Sequence, residues 1–257
     1  MKVMILAGGM GTRISEESAV RPKPMVEIGN MPILWHILKI YSAYGINDFV
    51  ICCGYKGNII KEWFSTYALQ RADVTFDMRE RQTIIHRNDM EPWCVTLVDT
   101  GEDTMTGGRI KRGLPYVGNE TFCLTYGDGV GDVNISDLIA FHRAHGRKAT
   151  MTAVQPAGRY GAFTLGADDM SVKAFREKPR GDGAWVNGGY FVLEPSVAEH
   201  IDGDHIVWEH EPLQTLAEAG ELVAYKHEKF WLPMDTLRDK HVLQSLWDSG
   251  KAPWKCW

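Results

Sequence analysis

The sequence predicts an α/β protein built on a doubly wound, mostly parallel sheet. Three apolar runs, at 2–7, 49–53 and 121–126, have the length and composition of buried strands. Segments with helical spacing separate them, and the first begins near Pro32, because proline is favoured in the first turn of a helix. Strands that alternate with helices in this way form parallel βαβ units.

The remaining elements follow from the same periodicities and from turn signals. In chain order they are a helix carrying Leu34, Ile37, Leu38 and Tyr41, a helix near 57–68, strands near 73–78 and 94–98, helices near 107–117 and 135–144, and a strand over 149–154. Short runs at 160–163, 172–175 and 190–193 predict a small antiparallel layer that folds over one edge of the sheet as a substrate lid. The tryptophan-rich segment 247–257 predicts either a docked C-terminal helix or a subunit interface.

Composition indicates one domain of ordinary globular type. The chain has 257 residues, of which 44% are apolar and 24% charged, and this length suits a single domain. The net charge of −5 argues against a nucleic acid partner, which would favour a basic surface. No run approaches a membrane span and no signal-peptide pattern is present, so we expect a cytoplasmic protein without a membrane partner.

The five cysteines predict neither a disulfide framework nor a zinc site. They are odd in number and contain no Cys-x-x-Cys pair. Cys52 and Cys53 lie in an apolar run and are expected to be buried as small hydrophobic side chains.

The most informative segment follows the first strand and reads Leu6-Ala7-Gly8-Gly9-Met10-Gly11-Thr12-Arg13. Glycines let the backbone approach a ligand closely, and successive backbone N–H groups in such a turn bind anions. Arg13 adds a planar group that can bind phosphate oxygens in a bidentate manner. The segment therefore predicts a polyphosphate site.

Two common phosphate motifs do not fit this segment. The dinucleotide fingerprint requires a third glycine where this chain has Ile14. The P-loop requires a glycine followed by lysine and a hydroxyl residue, whereas Gly250-Lys251 is followed by Ala252.

A second cationic segment, Arg21-Pro22-Lys23-Pro24, follows the glycine loop. A residue before proline is pushed towards extended geometry. Alternate residues of an extended chain point the same way, so we expect Arg21 and Lys23 to project to one side beside the phosphates.

Together, the glycine-rich segment and the Pro-Lys-Pro element resemble the signature of the sugar-1-phosphate nucleotidyltransferases. The resemblance implies a Rossmann-like, GT-A-like fold and an Mg²⁺ cofactor. It also implies one domain over 1–257, with a nucleotide-binding part at about 1–130, a sugar-binding part at about 131–240 and a C-terminal helix and tail at 236–257. Relatives of this kind are usually homo-oligomers, so a hexamer or tetramer is expected, with a role in polysaccharide or O-antigen synthesis.

Two aspartates are candidate metal ligands. Asp128 follows the strand 121–126 on a glycine turn, and Asp235 precedes the last predicted helix. Mg²⁺ is commonly bound by one or two carboxylates together with substrate phosphates. From the residues alone, Asp128 could equally close a loop and Asp235 could cap a helix. The resemblance assigns both as metal ligands and as catalytic residues, together with Arg13 and Lys23.

The resemblance also implies a sugar-phosphate site and a nucleotide site. The sugar-phosphate site comprises Tyr160, Gly161, Glu177, Lys178, Asn187 and Gly188, with Glu177 on the sugar ring and Lys178 on its phosphate. The nucleotide site comprises Leu6, Ala7, Gly8, Gly9, Met10, Gly11, Thr12, Arg13, Lys23, Thr104, Arg109 and Gly127. Asn187 suits hydroxyl recognition because its amide both donates and accepts hydrogen bonds.

Further segments resemble the members of this family that join CTP to glucose 1-phosphate; they lie at 54–57, 99–109, 233–240 and 251–254. The choice of base is not fixed by the side chains, because Thr104 and Thr106 can donate or accept. Glu102, Asp103 or loop carbonyls could accept from the amino group of cytosine. A thymidylyl- or uridylyltransferase therefore stays open, as do a non-catalytic nucleotide-sugar-binding regulator and a nicotinamide oxidoreductase.

Overall fold

The computed structural model alternates strands and helices much as the periodicity predicts. It describes residues 1–9, 11, 17, 20–87, 90–156, 162–165, 170–176 and 184–257. Within them the strands are β1 (Val3–Ala7), β2 (Glu27–Ile28), β3 (Met31–Pro32), β4 (Asp48–Cys53), β5 (Asp73–Asp77), β6 (Gln82–Arg87), β7 (Cys94–Asp99), β8 (Phe122–Tyr126), β9 (Gly129–Gly131), β10 (Ala149–Val154), β11 (Ala162–Leu165), β12 (Val172–Arg176), β13 (Val186–Leu193), β14 (Leu222–His227) and β15 (Trp231–Pro233). The α-helices are α1 (Ile33–Ala43), α2 (Gly57–Arg71), α3 (Thr106–Val117), α4 (Ile135–His145), α5 (Glu211–Glu218) and α6 (Leu237–Asp248), and Lys23–Met25 and Pro195–His200 are 3₁₀ turns.

Seven strands form the central sheet, in the order β14-β10-β13-β8-β1-β4-β7. Six of them run parallel to one another, and β13 alone runs the opposite way between β8 and β10. This arrangement confirms the predicted mostly parallel sheet. The ends of β1, β4, β7 and β8 therefore lie along one edge, where ligands of doubly wound sheets bind.

Helices cover both faces of the sheet because alternate residues of each strand point to opposite sides. Val3, Ile5 and Ala7 of β1 pack in a core with α1, α2, α4 and α6. Met4 and Leu6 pack in a second core with α3 and α5. A continuous apolar run such as β1 is typical of a strand buried on both faces.

The two adjacent cysteines of β4 are buried, as predicted. Cys52 and Cys53 have exposures of 0% and 2% and lie in opposite cores. Burial raises the pKa of Cys52 to about 12 and that of Cys53 to about 11, so both remain thiols at neutral pH.

The prediction that 190–193 belongs to a separate antiparallel layer was wrong. These residues are the second half of β13, inside the central sheet. Every residue of β13 from Gly188 onward is buried, which reflects a strand covered on both faces rather than a lid. The other two runs of that layer do pair antiparallel, as β11 with β12.

The predicted strand near 73–78 does not belong to the parallel central sheet. It forms a hairpin with β6, apart from the central sheet and largely exposed. The turn between the strands lacks glycine and proline and is therefore hard to recognise. Asp77 stabilises it by accepting hydrogen bonds from the N–H groups of Arg79 and Glu80 at 2.9 and 3.1 Å.

The C-terminal tail docks on the domain, which was one of its two predicted arrangements. Trp254 has no exposed surface and stacks on Phe230, with ring centroids 5.6 Å apart. Trp247 fills the space above Gly29, where a Cβ would come within 1.9 Å of its indole nitrogen. None of the helices in the described part of the chain has the length and apolar content needed to span a membrane.

His36 of α1 is buried beneath this tail. Its Nε2 lies 2.8 Å from the carbonyl oxygen of Ile28, and the indole N–H of Trp254 donates to its Nδ1 at 3.3 Å. This network requires the neutral ring with its proton on Nε2. Burial, with a smaller contribution from Lys255, lowers the pKa of His36 to about 4.

We expect His36 to make folding stability depend on pH. Between about pH 6.5 and 4 the unfolded imidazole takes up a proton that the folded one does not, so the unfolding free energy falls as pH falls through that range. His36 contributes at most about 3 kcal/mol to the change in unfolding free energy over this pH range. Urea unfolding across this pH range should show a shallower dependence in His36→Gln than in the wild type.

The exposed His86→Gln variant serves as the control and should keep the wild-type dependence. An unchanged pH dependence in His36→Gln would contradict the assignment.

Candidate active site

A cavity of about 560 Å³ opens at the edge where β1 and β8 end. The predicted site residues that line it are Leu6, Ala7, Gly8, Gly9, Gly11, Lys23, Thr104, Arg109, Gly127, Asp128 and Asp235. They come from the glycine loop, the Pro-Lys-Pro turn, the start of α3, the end of β8 and the segment before α6. Parts of the chain that are far apart in sequence thus meet around one cavity.

The other predicted site residues fall into two groups. Asn187 and Gly188 lie at the start of β13, and the Asn187 amide donates to the hydroxyl of Tyr126, a cavity residue, at 3.1 Å. Met10, Thr12, Arg13, Tyr160, Gly161, Glu177 and Lys178 lie outside the described residues.

Gly127 lets the end of β8 approach β1 and the Pro-Lys-Pro turn closely. Its N–H donates to the carbonyl of Leu6 at 2.9 Å. A Cβ at this position would lie 3.0 Å from the same oxygen and 3.1 Å from Cγ of Pro24. A larger residue would therefore push the turn that carries Lys23 away from the strand ends.

The prediction that Arg21 and Lys23 project together from an extended segment was wrong. Lys23 begins a 3₁₀ turn, which is held by a 2.8 Å hydrogen bond from the N–H of Met25 to the carbonyl of Pro22. Pro24 is tolerated because the first turn of a helix needs no N–H from it. Lys23 is consequently buried, whereas Arg21 is only partly buried and pairs with Glu27 at 2.6 Å.

Lys23 joins the two candidate metal ligands. Its ammonium lies 2.6 Å from a carboxylate oxygen of Asp128 and 2.6 Å from one of Asp235. Burial alone would lower the pKa of Lys23, but the two carboxylates outweigh it and the net pKa is raised. The side chain therefore stays charged.

The two aspartates meet because β9 pairs with β15. Gly129 lies opposite Pro233 in this pairing, and the N–H of Met234 donates to the carbonyl of Asp128 at 2.8 Å. Neither carboxylate is deeply buried, with side-chain exposures of 31% and 28%.

This donor set fits Mg²⁺. Two carboxylates that converge on a single cation offer the hard oxygen ligands that Mg²⁺ prefers, and leave its other positions to substrate phosphates and water. Among the described residues no group of three or more histidine, cysteine or acidic side chains forms a more enclosed metal site.

Arg109 anchors the loops around the cavity. The residue is 4% exposed and lies in the first turn of α3. It donates to the carbonyls of Gly8 at 3.1 Å, Cys53 at 3.3 Å, Gly101 at 2.7 Å and Glu102 at 3.0 Å, and to the hydroxyl of Thr100 at 2.6 Å. Arg109 therefore holds the glycine loop to the ends of β4 and β7.

Two glycines provide the space for this guanidinium. A Cβ on Gly8 would lie 2.2 Å from Nη1 of Arg109, and one on Gly54 would lie 2.3 Å from the same atom. Both separations are far below any van der Waals contact, so the Arg109 position requires glycine at both places.

Tyr126 and Glu209 also line the cavity and were not predicted from the sequence. The hydroxyl of Tyr126 donates to one oxygen of Glu209, and the hydroxyl of Thr106 donates to the other at 2.6 Å. A tyrosine directly before the Gly-Asp-Gly turn was the available signal for the first. The signal for Glu209 was weak, because an acidic residue just before a helix usually acts on the helix terminus.

The fold is that of a doubly wound α/β protein with a cavity at the carboxyl ends of its strands, and comparison with known proteins gives its class. The Nucleotidyl transferase family model matches residues 2–232, so this chain belongs to that family. The crystal structure of HddC from Yersinia pseudotuberculosis has a TM-score of 0.70 over 96% of this chain and 99% of its own, at 22% identity, and thus shares the fold.

Within the family, the similarity to cytidylyltransferases is high. The chain is 60% identical over 258 aligned residues to glucose-1-phosphate cytidylyltransferase of Salmonella typhimurium, with 100% of both chains covered. It is 42% identical to the probable glucose-1-phosphate cytidylyltransferase of Bacillus subtilis, again with 100% of both covered. Family membership excludes the oxidoreductase alternative.

We expect Gly54→Ala to weaken nucleotide binding although Gly54 itself does not line the cavity. The added methyl displaces the Arg109 guanidinium and breaks charge-assisted hydrogen bonds that hold the glycine loop. The loss of one such bond corresponds to an affinity decrease of about tenfold or more. Calorimetric titration with a nucleoside triphosphate measures it.

Gly203→Ala is the matched control, because its Cβ would meet only the His205 ring, at 3.4 Å. If Gly54→Ala bound the nucleotide as tightly as the wild type, the position of the Arg109 guanidinium would not matter for nucleotide binding.

Proposed function

We propose that this chain transfers the cytidylyl group of CTP to α-D-glucose 1-phosphate, giving CDP-glucose and pyrophosphate. The observation that carries the transfer is the convergence of Lys23, Asp128 and Asp235 in a cavity beside a glycine loop. The choice of CTP and glucose 1-phosphate is supported by the relatives that match the chain over its full length.

The chemistry needs no general base. A phosphate monoester has its second pKa near 6, so the attacking oxygen of glucose 1-phosphate is already ionised at neutral pH. That oxygen forms a bond to the α-phosphorus of CTP. The bond from the α-phosphorus to the bridging oxygen breaks, and pyrophosphate leaves with the electron pair.

Catalysis then consists of holding two anions together and neutralising their charge. Lys23 is proposed to contact the α-phosphate, Arg13 the leaving pyrophosphate and Lys178 the sugar phosphate. Asp128 and Asp235 would hold Mg²⁺, which when bound neutralises phosphate charge as a Lewis acid. Backbone N–H groups of the glycine loop would bind the remaining phosphate oxygens.

We also propose which part of the chain binds each substrate. Residues 1–130 would bind the nucleotide, 131–240 the sugar, and 236–257 would form the C-terminal helix and tail of the same domain. The support is the central sheet, because strands from both parts share it. A homo-oligomer, a cytoplasmic location and a role in polysaccharide synthesis stay predictions.

The substrate assignment predicts pyrophosphate release from CTP and glucose 1-phosphate at a higher kcat/KM than from UTP, dTTP, GTP or ATP with the same sugar phosphate. A coupled pyrophosphate assay on the intact chain with Mg²⁺ measures all five. A preference for UTP or dTTP would overturn the cytidylyl assignment, and no release with any of them would favour a non-catalytic sugar-nucleotide binder.

Lys23→Ala and Asp128→Ala are each expected to lower kcat at least about a hundredfold, the scale of one preorganised electrostatic group. In Lys23→Ala the two carboxylates also lose the cation between them. Steady-state kinetics at saturating substrates measures the effect.

Lys148→Ala, at a half-buried position, and Asp248→Ala, at an exposed one, both lie outside the cavity; they are the matched controls and should turn over normally. Near-normal kcat in Lys23→Ala or Asp128→Ala would refute the assigned roles.

A further inference from the structure

A chain of hydrogen bonds runs from the nucleotide side of the cavity to the start of β13. The Thr106 hydroxyl donates to Glu209 at 2.6 Å, and the other oxygen of Glu209 accepts from the hydroxyl of Tyr126. The Tyr126 oxygen in turn accepts from the Asn187 amide at 3.1 Å. Three hydrogen bonds between four side chains thus connect α3 with β13 along the cavity.

The donor and acceptor roles in this chain are fixed at each step. A carboxylate can only accept, so both hydroxyls must point their protons at Glu209. Burial, followed by the charge of Glu209, raises the pKa of Tyr126 far above its ordinary value, so the phenol keeps its proton. With that proton committed to Glu209, the Tyr126 oxygen can only accept from its other neighbour, Asn187.

The orientation of the Asn187 amide follows from this arrangement. Its Nδ2 group donates to Tyr126, and its Oδ1 accepts from the N–H of Gly189 at 2.8 Å. An amide has two N–H donors and two lone pairs, so one of each remains for a ligand. A rotated amide would place its oxygen against the phenol and its NH₂ against a backbone N–H.

The ring of Tyr126 cannot easily move to relieve a mismatch. It packs on Gly189, where a Cβ would lie 2.6 Å from a ring carbon. Gly189 has a φ of 75°, in the left-handed region that favours glycine. Backbone and ring thus hold one another in place.

We propose that Glu209 is a positioning residue that, through Tyr126, sets the amide orientation with which Asn187 recognises a hydroxyl of the sugar 1-phosphate. The inference rests on the proposed function for the identity of that substrate. It adds Glu209 and Tyr126 to the residues that determine sugar specificity, although neither need contact the sugar.

Glu209→Leu and Tyr126→Phe test the proposal because each removes one link. Both should raise KM for glucose 1-phosphate about tenfold, the value of one lost hydrogen bond, while KM for CTP and kcat change less than about threefold. Both should also narrow the preference for glucose 1-phosphate over galactose and mannose 1-phosphates. Glu209→Gln should behave as the wild type, because its oxygen can accept from Tyr126 while Thr106 accepts from its amide.

A double-mutant cycle with Asn187→Ala identifies the route of the effect. If Glu209 acts through Asn187, Glu209→Leu adds no further loss in the Asn187→Ala background. Calorimetric titration with CDP-glucose and with CTP gives the same comparison without turnover, and the sugar nucleotide alone should bind more weakly to the variants. Glu211→Leu, an exposed position in the first turn of α5, is the matched control and should leave both affinities unchanged.

Three outcomes would overturn the inference: additive losses in the cycle, an equal rise in both KM values, or a loss in Glu209→Gln as large as that in Glu209→Leu. Each requires a wild type that makes CDP-glucose. An inactive wild type would instead refute the proposed function, and the two failures are therefore distinguishable.

Discussion

The two ion pairs of Lys23 are the constraint on which the site depends. They join a turn near the start of the chain to the end of β8 and to the segment before α6, more than 100 and 200 residues further on. Without Lys23 the two neighbouring carboxylates would repel one another, because like charges that share a site disfavour each other's ionised form. The ion pairs therefore keep both carboxylates beside the glycine loop before any substrate binds. Electrostatic catalysis requires this preorganisation of charged groups.

The cavity stabilises its two buried cations in different ways. Lys23 is neutralised by carboxylates, whereas none of the ion pairs found among the described residues involves Arg109, which is held by carbonyl dipoles and a hydroxyl. Carbonyl dipoles satisfy hydrogen-bond donors without cancelling net charge. The glycine loop consequently lies next to a persistent positive charge, although the chain as a whole has a net charge of −5.

Sequence reasoning reached the parallel sheet and the residues at its edge because both are encoded locally. Apolar runs and a glycine-rich turn identify β1 and its loop, and a carboxylate after a strand marks Asp128 as a candidate that the family resemblance then selects. Contacts that form only in the tertiary structure could not be predicted in this way. The ion pairs of Lys23 join it to distant carboxylates. The place of β13 depends on burial of both its faces, and Glu209 reaches Tyr126 only in the folded chain.

The reversed direction of β13 has a consequence for synthesis of the chain. Strands β1, β4, β7 and β8 are complete by residue 126, but the free edge of β8 pairs only with β13, which spans Val186–Leu193. A nascent chain therefore carries an open, apolar strand edge for about sixty residues of translation, and such edges invite pairing with other chains. Insertion of β13 closes that edge and brings Asn187 to Tyr126 in the same event, so protection from aggregation and formation of this contact are gained together.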